Sequence, residues 1–126
     1  MSTTFQDQLT ECCEVIRQAA GVPLTYFAGD TEIELPLAVL GPPTQVYRGN
    51  TFVETREILV KAEDLAISGT QIEPQVGHRL TEESGDKINH YEVAILEEKK
   101  PAWRWSDTHN RTTRRIFTTF VKAESA

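Results

Sequence analysis

The sequence lacks long apolar runs and secretory features. No stretch of its 126 residues approaches the roughly 20 consecutive apolar residues that a membrane-spanning helix needs. Residues 1–7 contain neither the basic nor the apolar region of a signal peptide. With 39% hydrophobic and 25% charged residues, the composition is too apolar for a disordered chain. We therefore expect one globular domain over residues 1–126, made in the cytoplasm and not inserted in a membrane.

Cysteine is scarce, because the chain contains only Cys12 and Cys13. Adjacent side chains on a helix point about 100° apart, which is a poor geometry for a disulfide. One thiol is expected to pack as a small apolar group and the other to lie at the edge of the helix face. The three histidines lie in separate segments and no C-x-x-C motif is present. We expect no metal and no cofactor.

Catalytic sequence motifs are also missing. The chain has no G-x-S-x-G nucleophile elbow, no phosphate-binding or dinucleotide-binding glycine motif, and no H-E-x-x-H. Acidic pairs such as Glu97 and Glu98 are expected to be solvated, because neighbours in an extended segment point to opposite faces. We therefore expect that the protein is not an enzyme.

Charge is distributed unevenly along the chain. Residues 1–98 contain six Lys or Arg against seventeen Asp or Glu, a net charge of −11. Residues 99–126 contain seven basic and two acidic side chains, a net charge of +5. Such a distribution suits an acidic face that meets the basic face of a neighbouring copy, although the two halves could also pair within one monomer.

The N-terminal segment has the spacing of an amphipathic helix. Its apolar positions recur every three or four residues and are Phe5, Leu9, Cys12, Ile16 and Ala19 or Ala20. Gly21 and Pro23 then supply the usual stop signals. The pattern predicts a helix over residues 4–20 that packs by this face.

Beyond Gly21 the sequence consists of short extended segments separated by turn-forming residues. The predicted strands are residues 22–27, 31–40, 51–61, 77–81, 88–97, 102–106 and 112–121, with a turn of helix at 62–65. Pro36 cannot donate a backbone hydrogen bond, so the second strand is expected at a sheet edge. The order predicts an α+β, mainly β fold: an N-terminal helix, then a small antiparallel β-barrel or sandwich of six to seven strands over residues 22–122.

Two segments are candidates for contact with other molecules. Residues 41–51 are predicted to form a long loop, because Gly41-Pro42-Pro43 and Gly49-Asn50 bound an apolar tip. Further along, the sequence WRW at 103–105 places both tryptophans on one strand face, and basic residues follow it. In the plain interpretation the tryptophans pack against other side chains and the basic residues form a solvated outer face. In the functional interpretation the basic residues contact an acidic partner or nucleic-acid phosphate. The candidate subunit-interface or DNA-channel residues are Tyr47, Arg48, Arg104, Arg111, Arg114 and Arg115.

The order of these elements resembles the head-tail joining proteins of tailed bacteriophages, which are small neck proteins also called head completion or stopper proteins. The segments that carry the resemblance are 60–65, 74–81, 91–93 and 103–105, which read VKAEDL, PQVGHRLT, YEV and WRW. In that family a Pro-x-x-Gly-Asp segment opens a hairpin, and here His78 stands where the family usually has Asp. The resemblance covers about residues 50–122.

The resemblance implies a structural virion protein, assembled in the host cytoplasm. It would form an oligomeric ring that joins the portal of the DNA-filled head to the tail and helps to retain or pass DNA. The implied partners are further copies of the chain, portal or adaptor and tail proteins, and genomic DNA that passes without sequence-specific binding. Two alternatives stay open: a tail terminator or other ring-forming tail protein, and a cytoplasmic module that binds a small ligand.

Overall fold

The structure, a computed structural model, describes residues 8–13 and 20–125. Residues 8–13 are helical, as predicted, whereas Phe5, Ile16 and most other positions of the predicted helix 4–20 lie outside the described residues. Cys13 is buried and Cys12 is exposed, so the prediction that Cys12 lies on the packed face is wrong. The packed face instead contains Thr10 and Cys13, which are three residues apart and therefore neighbours on a helix.

The described residues form ten strands and one 3₁₀ turn, Ala62–Asp64. The strands are β1 Val22–Ala28, β2 Thr31–Leu40, β3 Thr44–Arg48, β4 Thr51–Lys61, β5 Ala66–Ile67, β6 Thr70–Gln71, β7 Arg79–Ser84, β8 Lys87–Val93, β9 Trp103–Trp105 and β10 Thr113–Ser125. All seven predicted strands are present, and β4 and the turn after it begin where the sequence predicts. The unpredicted strands are β3, which lies in the segment 41–51 expected to be a loop, and the two-residue strands β5 and β6, which lie between predicted strands.

Eight strands form a single antiparallel sheet in the order β3-β4-β2-β1-β7-β8-β10-β9, while β5 and β6 pair separately. Because β4 also pairs with β10, the sheet returns on itself and is ring-like. The prediction of a mainly β, antiparallel body is confirmed, but the arrangement is not the predicted barrel or sandwich. The β4–β10 pairing ends at Thr55 and Thr119, beyond which β4 continues with β3 and β10 with β8.

The second strand, β2, lies between β1 and β4, so the prediction that Pro36 places it at an edge is wrong. Pairing with β1 shifts register between Leu35 and Ala38, which leaves Pro36 in a bulge. Pairing with β4 begins only at Val39. A bulge is a position where a residue without an N–H is tolerated inside a sheet.

The apolar core lies inside the ring-like sheet. It follows the two-residue period of the strands, as Leu24 and Tyr26 of β1 and Ile58 and Val60 of β4 illustrate. Its other fully buried members are Leu35, Ala38, Leu65, Leu80, Val93 and Ile116. Each large aliphatic side chain contributes about 1.5–3 kcal/mol by its burial, so the core fixes the positions of the strands that carry the functional residues.

Residues 41–51 are not the predicted long loop, because β3 pairs with β4 across a turn at Gly49 and Asn50. Gly41 brings the chain close to β4: its N–H donates to the carbonyl oxygen of Glu57 at 2.7 Å. A Cβ at position 41 would lie 2.9 Å from that oxygen, so the close approach requires glycine. The glycines and prolines that favour a loop therefore flank a five-residue strand.

Candidate functional site

The distinctive features of the described residues are clusters of aromatic and charged side chains. Among residues 8–13 and 20–125, no group of three or more His, Cys, Asp or Glu side chains is placed to hold a metal ion. The described part of the chain also has no helix of the length and apolarity needed to cross a membrane. The notable features are a tryptophan–arginine cluster on β9 and β10, and an aromatic pair on the β3–β4 hairpin.

The tryptophan–arginine cluster is built by the pairing of β9 with β10. Arg114 lies opposite Trp105, and Ile116 lies opposite Trp103. The two indoles meet edge to face with ring centres 5.1 Å apart. The guanidinium carbon of Arg114 lies 4.3 Å from the ring centre of Trp103 and 4.4 Å from that of Trp105. One cation therefore contacts both indoles.

Arg114 is buried, with 4% of its surface exposed, so the prediction that it belongs to a basic outer face is wrong. Alternation along β10 puts it on the same face as Ile116, toward the interior. Its Nε and Nη1 have no hydrogen-bond partner within the described part of the chain. Burial lowers the pKa of Arg114 and outweighs the electrostatic effects of Glu73 and Tyr26, which act to raise it. Stacking on desolvated aromatic rings can contribute about 2 kcal/mol, which partly offsets the cost of burying the charge.

Arg104 and Arg115 lie opposite each other on the other face of the same strand pair. The Nη1 of Arg115 donates to Glu57 Oε2 at 2.7 Å, and its Nε donates to Ser106 Oγ at 3.2 Å. Arg104 is exposed, as predicted. The structure therefore brings these two arginines together on the outside of the sheet and separates them from Arg114.

The other two candidate arginines lie elsewhere. Arg111 is exposed in the connection between β9 and β10, where its φ of 54° is in the left-handed region. Arg48 is the last residue of β3, and its side chain lies outside the part of the chain that the structure describes. The arginines proposed from sequence therefore do not form one continuous basic face.

Tyr47 and Phe52 lie opposite each other at the tip of the β3–β4 hairpin. Their ring centres are 4.9 Å apart with an interplanar angle of 70°, and the two residues are 62% and 66% exposed. We call this pair the aromatic knob. Sequence reasoning singled out Tyr47 but missed Phe52, which a strand prediction for residues 44–48 would have placed across the Gly49 turn from it.

A groove of about 660 Å³ lies on the opposite face of that hairpin. The hairpin side is lined by Pro42 and Val46, the facing side by Leu96 and Pro101, and Phe117 also lines it. The charged lining residues include Glu57, Glu97, Lys100 and Arg104. We call it the outer groove. Its volume and mixed lining fall within the range of sites that bind apolar groups. No local sequence signal identifies it, since its lining comes from distant segments.

A buried carboxylate, Asp107, connects the N-terminal helix to the β9–β10 connection. It is 0% exposed and accepts hydrogen bonds from the N–H of Thr113 at 2.9 Å and the hydroxyl of Thr10 at 2.8 Å. The N–H and hydroxyl of Thr112 also donate to it, and Asn110 donates to the Thr10 hydroxyl. Burial alone would raise the pKa of Asp107, but these hydrogen bonds outweigh it and hold the pKa below its usual range.

Comparison with known proteins identifies the class to which these surfaces belong. A protein-family model described as phage head-tail joining protein matches residues 5–125. The chain belongs to this family. No curated protein and no solved structure matches the chain. The resemblance inferred for residues 50–122 is thus confirmed and extends over nearly the whole sequence.

Phage head-tail joining proteins are structural proteins of the virion neck, not enzymes, and they interact with other head and tail proteins. Exposed side chains are the ones available for such interactions. Tyr47, Arg104 and Arg111 are exposed, and Arg115 is partly exposed in its ion pair with Glu57. These four residues stay candidates for contact with neighbours.

Proposed function

We propose that this head-tail joining protein forms a ring of identical copies that connects the portal of the DNA-filled head to the tail. The observation that carries the proposal is the family match over residues 5–125. The uneven charge supports it, because residues 1–98 have a net charge of −11 and residues 99–126 one of +5. Arg115 is already paired with Glu57 within one chain, but the exposed Arg104 and Arg111 are available to acidic groups of a neighbouring copy, as a head-to-tail ring requires.

The oligomeric ring also helps to retain DNA or to let it pass. Most of the chain is acidic, and acidic side chains that line a channel repel phosphate and keep the duplex from adhering. Assembly takes place in the host cytoplasm before the virion is complete. The whole chain acts as one domain, with its helix attached to the β body through Thr10 and Asp107.

Arg104, Arg111 and Arg115 contact acidic groups of a neighbouring copy, of the adjoining portal or tail protein, or of the DNA. Arg104 and Arg115 support this role because they share the outer face of the β9–β10 pair. Arg48 has the same role at the end of β3, next to the exposed Tyr47. Guanidinium groups suit such contacts because they donate forked hydrogen bonds to carboxylates and phosphates.

Complementation of a phage that lacks this gene product tests the proposal. We expect DNA-filled heads and free tails that do not join, and we expect purified protein added to this mixture to restore joined particles. The matched control is the same preparation after the protein in it has been denatured and removed. Heads that join tails without the protein, but with tails of abnormal length, would contradict the proposal and indicate a tail terminator instead.

A further inference from the structure

The aromatic knob and the outer groove lie on opposite faces of one hairpin. Val46 lines the groove, and its neighbour Tyr47 points the other way because successive residues of a strand alternate. Phe52, directly opposite Tyr47, shares the face of the knob. One chain therefore presents an apolar projection on one side and an apolar depression on the other.

The knob has the properties of an interface anchor. Its two aromatic rings already contact each other at 4.9 Å between centres, so little side-chain freedom is lost when they bind. Their exposure of 62% and 66% is costly in water and is relieved by a partner. Buried aromatic anchors of this kind commonly supply much of the binding energy of an interface.

The outer groove is a suitable receptor for such an anchor. Leu96, Pro101 and Phe117 give it an apolar lining. Lys100 and Arg104 place positive charge there beside the carboxylates of Glu57 and Glu97, and Glu57 is already paired with Arg115. On the knob face, Glu54 lies two residues from Phe52 and thus points the same way. An inserted knob therefore brings a carboxylate toward the cations of the groove, which favours a protein surface of this composition over nucleic acid.

The opposite directions of the two features determine the symmetry of the contact. When the knob of one copy enters the groove of a second, the second copy's knob faces away from the first. A two-fold dimer therefore cannot satisfy both features at one interface, whereas a head-to-tail series satisfies every knob and every groove when it closes. We infer that the aromatic knob of each copy occupies the outer groove of the next copy, an inference that rests on the proposed oligomeric ring.

Site-specific photocrosslinking tests this contact in assembled particles. A photoreactive benzophenone side chain replaces Tyr47, and the protein is prepared as a mixture of isotope-labelled and unlabelled copies. We expect crosslinks from position 47 of one copy to residues 96–104 of another, with a yield at least about tenfold above that of a control probe. The control probe replaces Val76, which is also exposed but lies outside the hairpin.

If the protein is found in the neck but position 47 forms crosslinks only to other phage proteins, or only within the same chain, the inference is overturned and the proposed function is not. Absence of the unmodified protein from joined particles would instead overturn the proposed function. If the bulk of the probe blocks incorporation, a disulfide experiment replaces it. The variant carries Phe52→Cys and Leu96→Cys, and Cys12→Ser removes the exposed native thiol. A disulfide between copies supports the inference, and its absence in oxidised, joined particles contradicts it.

Discussion

The guanidinium of Arg114 stacks against the indole of Trp103, with 4.3 Å between the guanidinium carbon and the ring centre. Because Arg114 is buried there, we expect Arg114→Glu to destabilise the fold rather than to act at an interface. A buried charge of the wrong sign should lower the free energy of unfolding by about 3 kcal/mol or more. Denaturant unfolding measures the effect.

Arg104→Glu is the matched control for this change, since Arg104 lies on the neighbouring strand but is exposed. It should change the free energy of unfolding by no more than about 0.5 kcal/mol. An unchanged unfolding midpoint for Arg114→Glu would show that the stacked arrangement does not exist in solution. Simultaneous reversal of Arg114 and Arg115 is accordingly expected to unfold the protein, whereas the basic outer face suggested by the sequence would tolerate both changes.

Arg115 should act in assembly rather than in folding. Its ion pair with Glu57 is partly exposed, so Arg115→Glu should cost only about 1 kcal/mol in stability. We expect the folded variant to be excluded from particles, because like charges across an interface repel. Quantitative mass spectrometry of purified particles measures incorporation. The swapped pair, Arg115→Glu with Glu57→Arg, separates the roles: restored incorporation would show that only the internal ion pair matters.

Stability should fall in acid partly through Asp107. The pKa of Asp107 is lowered in the folded chain, so its contribution is present above its unfolded pKa, near 3.9, and is lost as the pH falls through the folded value. Asp107→Asn should cost about 1–3 kcal/mol at pH 7, since it weakens hydrogen bonds to a buried carboxylate. Thermal melting between pH 5 and pH 2 should then show a steeper loss of stability for the wild type than for the variant. Parallel pH profiles would contradict this role.

Tyr47 and Phe52 should stabilise the hairpin jointly even in the isolated protein. Cross-strand aromatic pairs are worth about 0.5–1.5 kcal/mol beyond their burial. A double-mutant cycle with Tyr47→Ala and Phe52→Ala should therefore show a coupling energy in this range. Independent, additive effects would indicate that residues 44–55 are not paired in solution and that this segment is the long loop predicted from its glycines and prolines.

The sequence predicts best those strands and turns that depend on local residue pattern alone. In Thr51–Lys61 the apolar and β-branched residues predict the observed strand, and the Ala-Glu-Asp turn after it is also as predicted. The five-residue strand Thr44–Arg48 is missed because Gly-Pro-Pro and Gly-Asn flank it on both sides. Short strands between strong turn formers depend on a partner strand, here β4, for their stability.

The candidate site depends on relationships that a single sequence does not contain. Alternation implies that Arg114 and Arg115 point to opposite faces, but only the pairing of β10 with β9 and β4 determines which one is buried. Likewise, Val46, Leu96 and Phe117 meet in the outer groove through long-range pairing. Family resemblance supplied the functional class because the order of elements and their turn signals are properties of the sequence itself.

Reconstruction of the neck of an intact particle by electron cryomicroscopy tests the central claim most directly. We expect an oligomeric ring of this chain between the portal and the tail, with β3–β4 hairpins that follow one another in the same sense around the axis. Tyr47 and Phe52 of each copy should lie against Leu96 and Phe117 of the next. A neck without this chain, or copies that occur only away from the head-tail junction, would contradict the account.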